Sequence, residues 1–171
     1  MINRFNRKEF YRHVNGQCSF KSFPGANSKD LNHYVIPTLN NVKPDVALIH
    51  VGTNDVRKRN GNFRDENEIA NEILEVGRNC RKNGVNKVFV SSIVCRRKPE
   101  ENDLVQKINR SVMNMCVNEG YIFVDNSSIG TDHFWNDGFH ILTTLVLIYW
   151  QMILLMQLIL YDVMIGTRGW E

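Results

Sequence analysis

Several features that would assign this chain of 171 residues to a specialised class are missing from its sequence. Its four cysteines show no Cys-x-x-Cys spacing, so neither a zinc site nor a dithiol redox motif is predicted. The formal net charge of +3 is too small to indicate nucleic-acid binding by itself. The first residues lack the apolar core of a signal peptide. The composition indicates a cytoplasmic globular protein with reduced thiols and no metal or other cofactor.

Short apolar segments alternate with amphipathic segments along the chain. Strands are predicted at 18–23, 45–51, 87–94 and 121–124. Helices are predicted at 28–39, with Ser28 as the N-cap and Pro37 shortening the end, at 64–82, and in a segment that Gly120 ends. Strands separated by helices favour an α/β fold with a parallel sheet and right-handed crossovers.

The ten residues Val46–Asp55 are the most informative stretch. A run of apolar residues is followed by Gly52, which allows a sharp turn, and then by Asn54 and Asp55. Ligands of α/β proteins bind beyond the carboxyl ends of the strands, where an amide could donate to a developing oxyanion. An ordinary turn is the alternative, because Gly, Asn and Asp are common turn residues.

Two further segments carry chemically useful groups. Asp137 precedes His140 by three residues, close enough to orient the imidazole and stabilise its protonated form, as a general base requires. The segment Phe23-Pro24-Gly25-Ala26 offers a glycine N–H at the end of the predicted strand 18–23.

In this order, the three segments resemble sequence blocks of the SGNH hydrolases, also called GDSL-type esterases, over roughly residues 12–140. Gly25 matches the second block of that family, Gly52-Thr53-Asn54-Asp55 matches the third, and Asp137 with His140 matches the last. The resemblance implies a three-layer, flavodoxin-like α/β fold. It also implies hydrolysis of an acyl or acetyl ester of a small molecule.

The resemblance also implies roles for individual residues. His140 is expected to act as the base, with Asp137 orienting it. The N–H of Gly25 and the side-chain amide of Asn54 are expected to bind the oxyanion, with support from the loop residues Gly52 and Asp55.

The first block of the family, a Gly-Asp-Ser that contains the nucleophile, is missing. No serine precedes Ser19, and the chain has Arg7-Lys8-Glu9 where that block should lie. The first strand is therefore expected to be degenerate or absent, and the esterase to be inactive or severely impaired. A noncatalytic ligand-binding pseudoenzyme and a truncated or altered gene product remain open alternatives.

Three segments are predicted along the chain: a degenerate N-terminal segment (1–17), an SGNH hydrolase-like core (18–140) and an apolar tail (141–171). Residues 141–160 carry no charge and are long enough to cross a bilayer core of about 30 Å. A packed terminal helix is the favoured interpretation, and a membrane anchor remains open. No nucleic-acid partner is expected, because no aromatic residues interleave the basic triplets 57–59 and 96–98. These triplets could attract an anionic ligand or lie in solvated loops.

Overall fold

Helices and strands alternate throughout the part of the chain that the structure, a computed structural model, describes, which is residues 19–129. In chain order the elements are α1 (Ser28–Val42), β1 (Val46–Ile49), α2 (Glu66–Lys82), β2 (Lys87–Ser91), α3 (Pro99–Glu119) and β3 (Ile122–Val124). The predicted α/β class is confirmed. The predictions for segments 1–17 and 141–171, including the degenerate first strand, lie outside the described residues.

The three strands form a parallel sheet in the order β1-β2-β3. Ala47 of β1 pairs with Val88 of β2, and Val90 of β2 pairs with Phe123 of β3. Helices α2 and α3 connect the neighbouring strands, as parallel pairing requires. Because the strands are parallel, the turns that follow them emerge at one edge of the sheet, called the carboxyl edge below.

One contiguous core joins the helices to the sheet. Helix α2 packs against both α1 and α3. Its buried face contributes Ile69, Ile73, Leu74, Val76 and Cys80, and this face meets Val88 and Val90 of β2. Fully burying a side chain of this size stabilises the fold by about 1.5–3 kcal/mol, so α2 is firmly placed behind the carboxyl edge.

Helix α1 begins one residue earlier than the sequence pattern indicates. The N-cap is Asn27, whose side-chain oxygen accepts from Asp30 N at 2.8 Å, while the Asp30 carboxylate accepts from Asn27 N at 3.1 Å. The prediction that Ser28 is the N-cap is therefore wrong. Ser28 is the first helical residue, it is fully buried, and its hydroxyl is directed to other partners. The helix also continues through Pro37 to Val42.

The strand predicted at 18–23 is missing from residues 19–23, and those predicted at 45–51 and 87–94 are shorter. Residues 19–23 form no strand, because no described strand runs beside them to pair with their backbone. Strand β2 ends at Ser91 rather than at Val94, because the side chain of Asn109 on α3 satisfies the backbone of Ile93. Asn109 Oδ1 accepts from Ile93 N and Asn109 Nδ2 donates to Ile93 O, both at 2.8 Å. Helix α3 ends at Gly120, whose φ is 64°, as predicted.

Candidate active site

The turn after β1 is fixed by the lack of a side chain at Gly52. Its φ of +113° is a conformation that other residues rarely adopt. A Cβ added here would lie 2.4 Å from Ile93 Cδ1 and 2.8 Å from Ile93 Cγ1. Because Ile93 is itself buried, the turn after β1 has room only for glycine against the segment after β2.

The side-chain amide of Asn54 joins two turns that lie far apart in the sequence. Asn54 Nδ2 donates to Ala26 O at 2.9 Å. Ala26 closes a turn in which its own N–H bonds to Phe23 O at 3.1 Å, and Gly25 lies within that turn with a φ of +81°. Gly25 is exposed and Asn54 is partly exposed, so both reach the surface beside each other.

Asp55, the next residue, is buried and binds the start of α1. Its Oδ2 accepts from Ser28 N at 2.9 Å, and its Oδ1 lies 2.8 Å from Ser28 Oγ. Arg64 Nη1 donates to Oδ1 at 2.6 Å, and Arg64 Nη2 reaches Glu72 Oε1 on α2 at 2.8 Å. Ser28, Asp55, Arg64 and Glu72 are called the Asp55 cluster below. This cluster ties the turn after β1 to α1 and α2.

The two carboxyl groups of the Asp55 cluster titrate in opposite directions. Burial raises the pKa of Asp55 above its ordinary value, against the opposing effect of its hydrogen bonds with Ser28. Burial would also raise the pKa of Glu72, but hydrogen bonds from Arg64 and Ser28 outweigh it and lower that pKa. Of the two carboxyl groups, Asp55 is the more deeply buried, and it therefore holds a proton more strongly than Glu72 does.

A second buried polar group follows the ends of all three strands. His50 Nδ1 lies 3.0 Å from Ser91 Oγ, and Asn126 Nδ2 donates to the same Oγ at 2.7 Å. These three residues are called the His50 chain below. His50 Nε2 is buried, and no hydrogen-bond partner for it lies among the described residues. Burial lowers the pKa of His50 to about 4, so the imidazole is neutral at pH 7.

Two of the buried serines at this edge, Ser28 and Ser91, contact groups that could accept their protons, but neither is accessible to an ester. Ser91 has the contact with an imidazole that a nucleophile and its base would make, but it is only 6% exposed. Ser28 is fully buried between two carboxyl groups. A serine that could replace the missing nucleophile is therefore not provided by either position in this conformation.

The two basic triplets differ from one another. Residues 57–59 are exposed, and Lys58 Nζ lies 4.9 Å from the centre of the Phe63 ring. In the second triplet Arg96 is buried, and its Nε donates to Glu101 Oε2 at 3.2 Å. The second triplet therefore presents only Arg97 and Lys98 at the surface, which weakens the predicted attraction for an anionic ligand.

The remaining predicted groups have separate outcomes. His140 and Asp137 lie outside the described residues. Cys80 and Cys116 are buried free thiols, and burial raises the pKa of each to about 11, which makes them poor nucleophiles.

Within residues 19–129 no three His, Cys, Asp or Glu side chains are placed to share a metal ion. No helix in that range combines the length and the apolar composition that crossing a bilayer requires.

Sequence patterns did not predict that the residues of the polar groups at the carboxyl edge would include Arg64, Glu72, His50 and Ser91. Arg64 and Glu72 belong to a charged helix start and an amphipathic helix, where such residues are normally solvated. His50 ends an apolar strand. Its position at the strand's carboxyl end was the one signal that could have identified it.

Comparison with known proteins identifies the fold. The sequence matches no protein-family model and no curated protein sequence. Its structure is similar to a candidate acylhydrolase from Bacteroides fragilis, with 17% identity, a TM-score of 0.73, and coverage of 95% of this chain and 81% of the other. It is also similar to a GDSL-like lipase from Bacteroides thetaiotaomicron, with 17% identity, a TM-score of 0.70, and coverage of 92% and 80%.

A third similar structure is Est24, a carbohydrate acetylesterase from Sinorhizobium meliloti, with 15% identity and a TM-score of 0.56. The match covers 78% of this chain and 77% of Est24. Likeness at such low identity concerns the fold. The chain has the fold of an SGNH-type hydrolase, as the sequence resemblance implied.

Proposed function

We propose that this chain is an SGNH hydrolase-like domain that binds a small-molecule ester, or an acylated compound, at the carboxyl edge of its sheet. We propose further that it is inactive or severely impaired as an esterase. The hydrogen bond from Asn54 to Ala26 carries the proposal, because it brings together the turns that contain the two expected oxyanion donors.

The geometry of these two turns supports anion binding. A side-chain amide nitrogen carries two hydrogens, so the one that Asn54 donates to Ala26 leaves a second for a ligand. Gly25 lies in the adjoining turn, and apart from its two chain neighbours no described residue comes within 4 Å of where its Cβ would be. An oxygen that develops negative charge between these groups would be stabilised by preorganised donors.

Without the nucleophile, the site can bind an ester but cannot attack it. In the proposed site His140 would be the base and Asp137 would orient it, as the family resemblance implies. A base acts by removing the proton of an attacking hydroxyl, and no Gly-Asp-Ser supplies that hydroxyl here. The residual groups can hold an ester or a carboxylate, but they cannot form an acyl-enzyme. The proposed domain therefore binds its ligand without catalysing hydrolysis.

The first experiment tests catalysis. The full chain is incubated with a fluorophosphonate probe and, separately, with an activated acetyl ester, beside a heat-unfolded sample of the same chain. We expect no serine labelling and no hydrolysis above the unfolded control. Stoichiometric labelling of one serine in the folded sample alone would overturn the proposed inactivity and identify the replacement nucleophile.

The second experiment tests binding. Acetate, which carries the oxygens of an ester product, is titrated while the thermal unfolding of the full chain is followed. We expect acetate to raise the Tm of the wild type and of the control Asn62→Ala, and to have no effect on Asn54→Ala. Asn62 is matched because it is another asparagine in the loop between β1 and α2, and it is exposed. Equal shifts in all three proteins would show that the expected amide is not part of the site.

We also assign the chain to the reducing cytoplasm. Cys80 and Cys116 are buried and unpaired, which suits a compartment in which thiols stay reduced. Alkylation of thiols in unfolded, freshly lysed protein should find both cysteines free.

A further inference from the structure

The Asp55 cluster contains fewer hydrogens than its short contacts require. Ser28 Oγ lies 2.8 Å from Asp55 Oδ1 and 2.5 Å from Glu72 Oε2. A serine hydroxyl has one hydrogen and can donate it to only one of these oxygens. If both carboxyl groups were ionised, the other contact would bring two oxygens together without a hydrogen between them.

The positive charges around the cluster do not remove this deficit. Arg64 is the cation in contact with both carboxyl groups, and Glu68 competes for it with a contact of 3.1 Å to Arg64 Nη2. Lys29 on α1 acts on Glu72 only through its field. Two carboxyl groups that share one guanidinium and one hydroxyl repel each other when both are ionised, which favours retention of a proton.

We propose that Asp55 and Glu72 hold one proton between them through the Ser28 hydroxyl, and that this proton helps to tie the turn after β1 to α1 and α2. With the proton on either carboxyl, one carboxyl donates to Ser28 Oγ while Ser28 donates to the other. All the short contacts are then satisfied. The two carboxyl groups titrate as a coupled pair, in which the more deeply buried Asp55 holds the proton more strongly than Glu72 does.

A dependence of stability on pH follows from the shared proton. The unfolded chain releases carboxyl protons near their ordinary pKa values of about 4, whereas the folded pair releases its proton at a higher pH. Folding therefore takes up a proton between these limits, and the stability that it contributes is lost as the pH rises through the folded titration. This inference concerns the folded protein alone and does not depend on ester binding.

The direct test is a titration of the full wild-type chain by carbon-13 NMR of its carboxyl groups, from about pH 3 to about pH 8. Asp55→Asn and Glu72→Gln assign the two signals. We expect one of the two signals to titrate at a higher pH than the exposed carboxyl groups of the same chain. Ionisation of both Asp55 and Glu72 at or below the pH at which those exposed groups ionise would overturn the proposal.

Thermal unfolding gives an independent readout. Between the pH at which ordinary carboxyl groups ionise and the higher pH at which the folded pair ionises, the shared proton should lower the Tm of the wild type by about 3 °C per pH unit. Asp55→Asn and Glu72→Gln each leave a single carboxylate for the single hydroxyl hydrogen, so this fall should disappear in both. Glu75→Gln is the matched control, because Glu75 also lies on α2 but pairs with Arg78 and Lys82 near the surface. The control should keep the wild-type slope, and an equal slope in all four proteins would contradict the shared proton.

Discussion

The Asp55 cluster and the His50 chain both lie at the carboxyl edge, but their polar groups are satisfied by different means. The Asp55 cluster places two carboxyl groups against one guanidinium and one hydroxyl. The His50 chain is neutral, and its imidazole has one buried nitrogen without a partner among the described residues.

This difference separates two sources of instability. In the Asp55 cluster, the loss of Asp55 leaves Arg64 without its shortest contact with a carboxylate, so the cost appears on substitution. In the His50 chain, burial keeps the imidazole neutral. The protein is therefore destabilised in acid, where the imidazole of the unfolded chain binds a proton and that of the folded chain does not. Three substitutions or conditions test this difference, in order of decreasing expected loss of stability.

Removal of Asp55 should have the largest effect. Asp55→Ala leaves Arg64 without its shortest contact and leaves the buried N–H of Ser28 unpaired. We expect a loss of about 3–5 kcal/mol in the free energy of unfolding, measured with urea at pH 7. Asp125→Ala is the control, because that carboxylate is exposed and bonds only within its own turn to Ser127. A loss of less than about 1 kcal/mol for Asp55→Ala would mean that the cluster does not hold the turn.

Acid should act mainly through the His50 chain. The folded pKa of about 4 lies below the ordinary value of 6.5, so the unfolded chain binds the extra proton as the pH falls from 6.5 to 4. Stability contributed by the neutral ring is full above pH 6.5, and about 3 kcal/mol of it should be lost by pH 4.

The variant His50→Asn keeps a polar atom near Ser91 and should lose this part of the acid dependence. Urea unfolding at several pH values measures it. His33→Asn is the matched control, because His33 is exposed on α1. Equal acid dependence in wild type and His50→Asn would contradict a buried neutral imidazole.

A methyl group at position 52 should cause a smaller loss of stability. Position 52 lies between His50 and Asp55, so this change affects the turn that carries both residues. Gly52→Ala combines an unfavourable φ with a clash against Ile93, and we expect a loss of about 2–3 kcal/mol in urea unfolding. Gly25→Ala has a similar φ problem but open space, so its loss should be about 1 kcal/mol. Equal losses would show that strain alone, without the contact with Ile93, decides the cost.

The fold was more predictable from the sequence than the site. Helix α2 and strand β1 were predicted because their signals are local: regularly spaced apolar residues and a run of β-favouring residues. The role of Ser28 was missed, because its partners Asp55 and Glu72 are 27 and 44 positions away in the sequence. Asn27 and Ser28 are both favourable N-cap residues, and Asp30, three residues after Asn27, is the local signal that distinguishes them, because the two side chains form a capping box.

The same contrast between local signals and long-range contacts applies to the site residues. The Gly52–Asp55 turn was predicted because strand, glycine and polar residues follow one another in the sequence. The hydrogen bond between Asn54 and Ala26 could not be read from the sequence, since it joins positions 28 apart. His140 and Asp137 remain predictions.

The absence of a side chain at Gly52 has a consequence for redesign of this protein. Ile93 occupies the space that a larger residue at position 52 would need. A library that varies position 52 alone should therefore return glycine almost exclusively. Truncating Ile93 to alanine first would open that space, so reshaping the carboxyl edge at this point requires changes in the loops after β1 and β2 together.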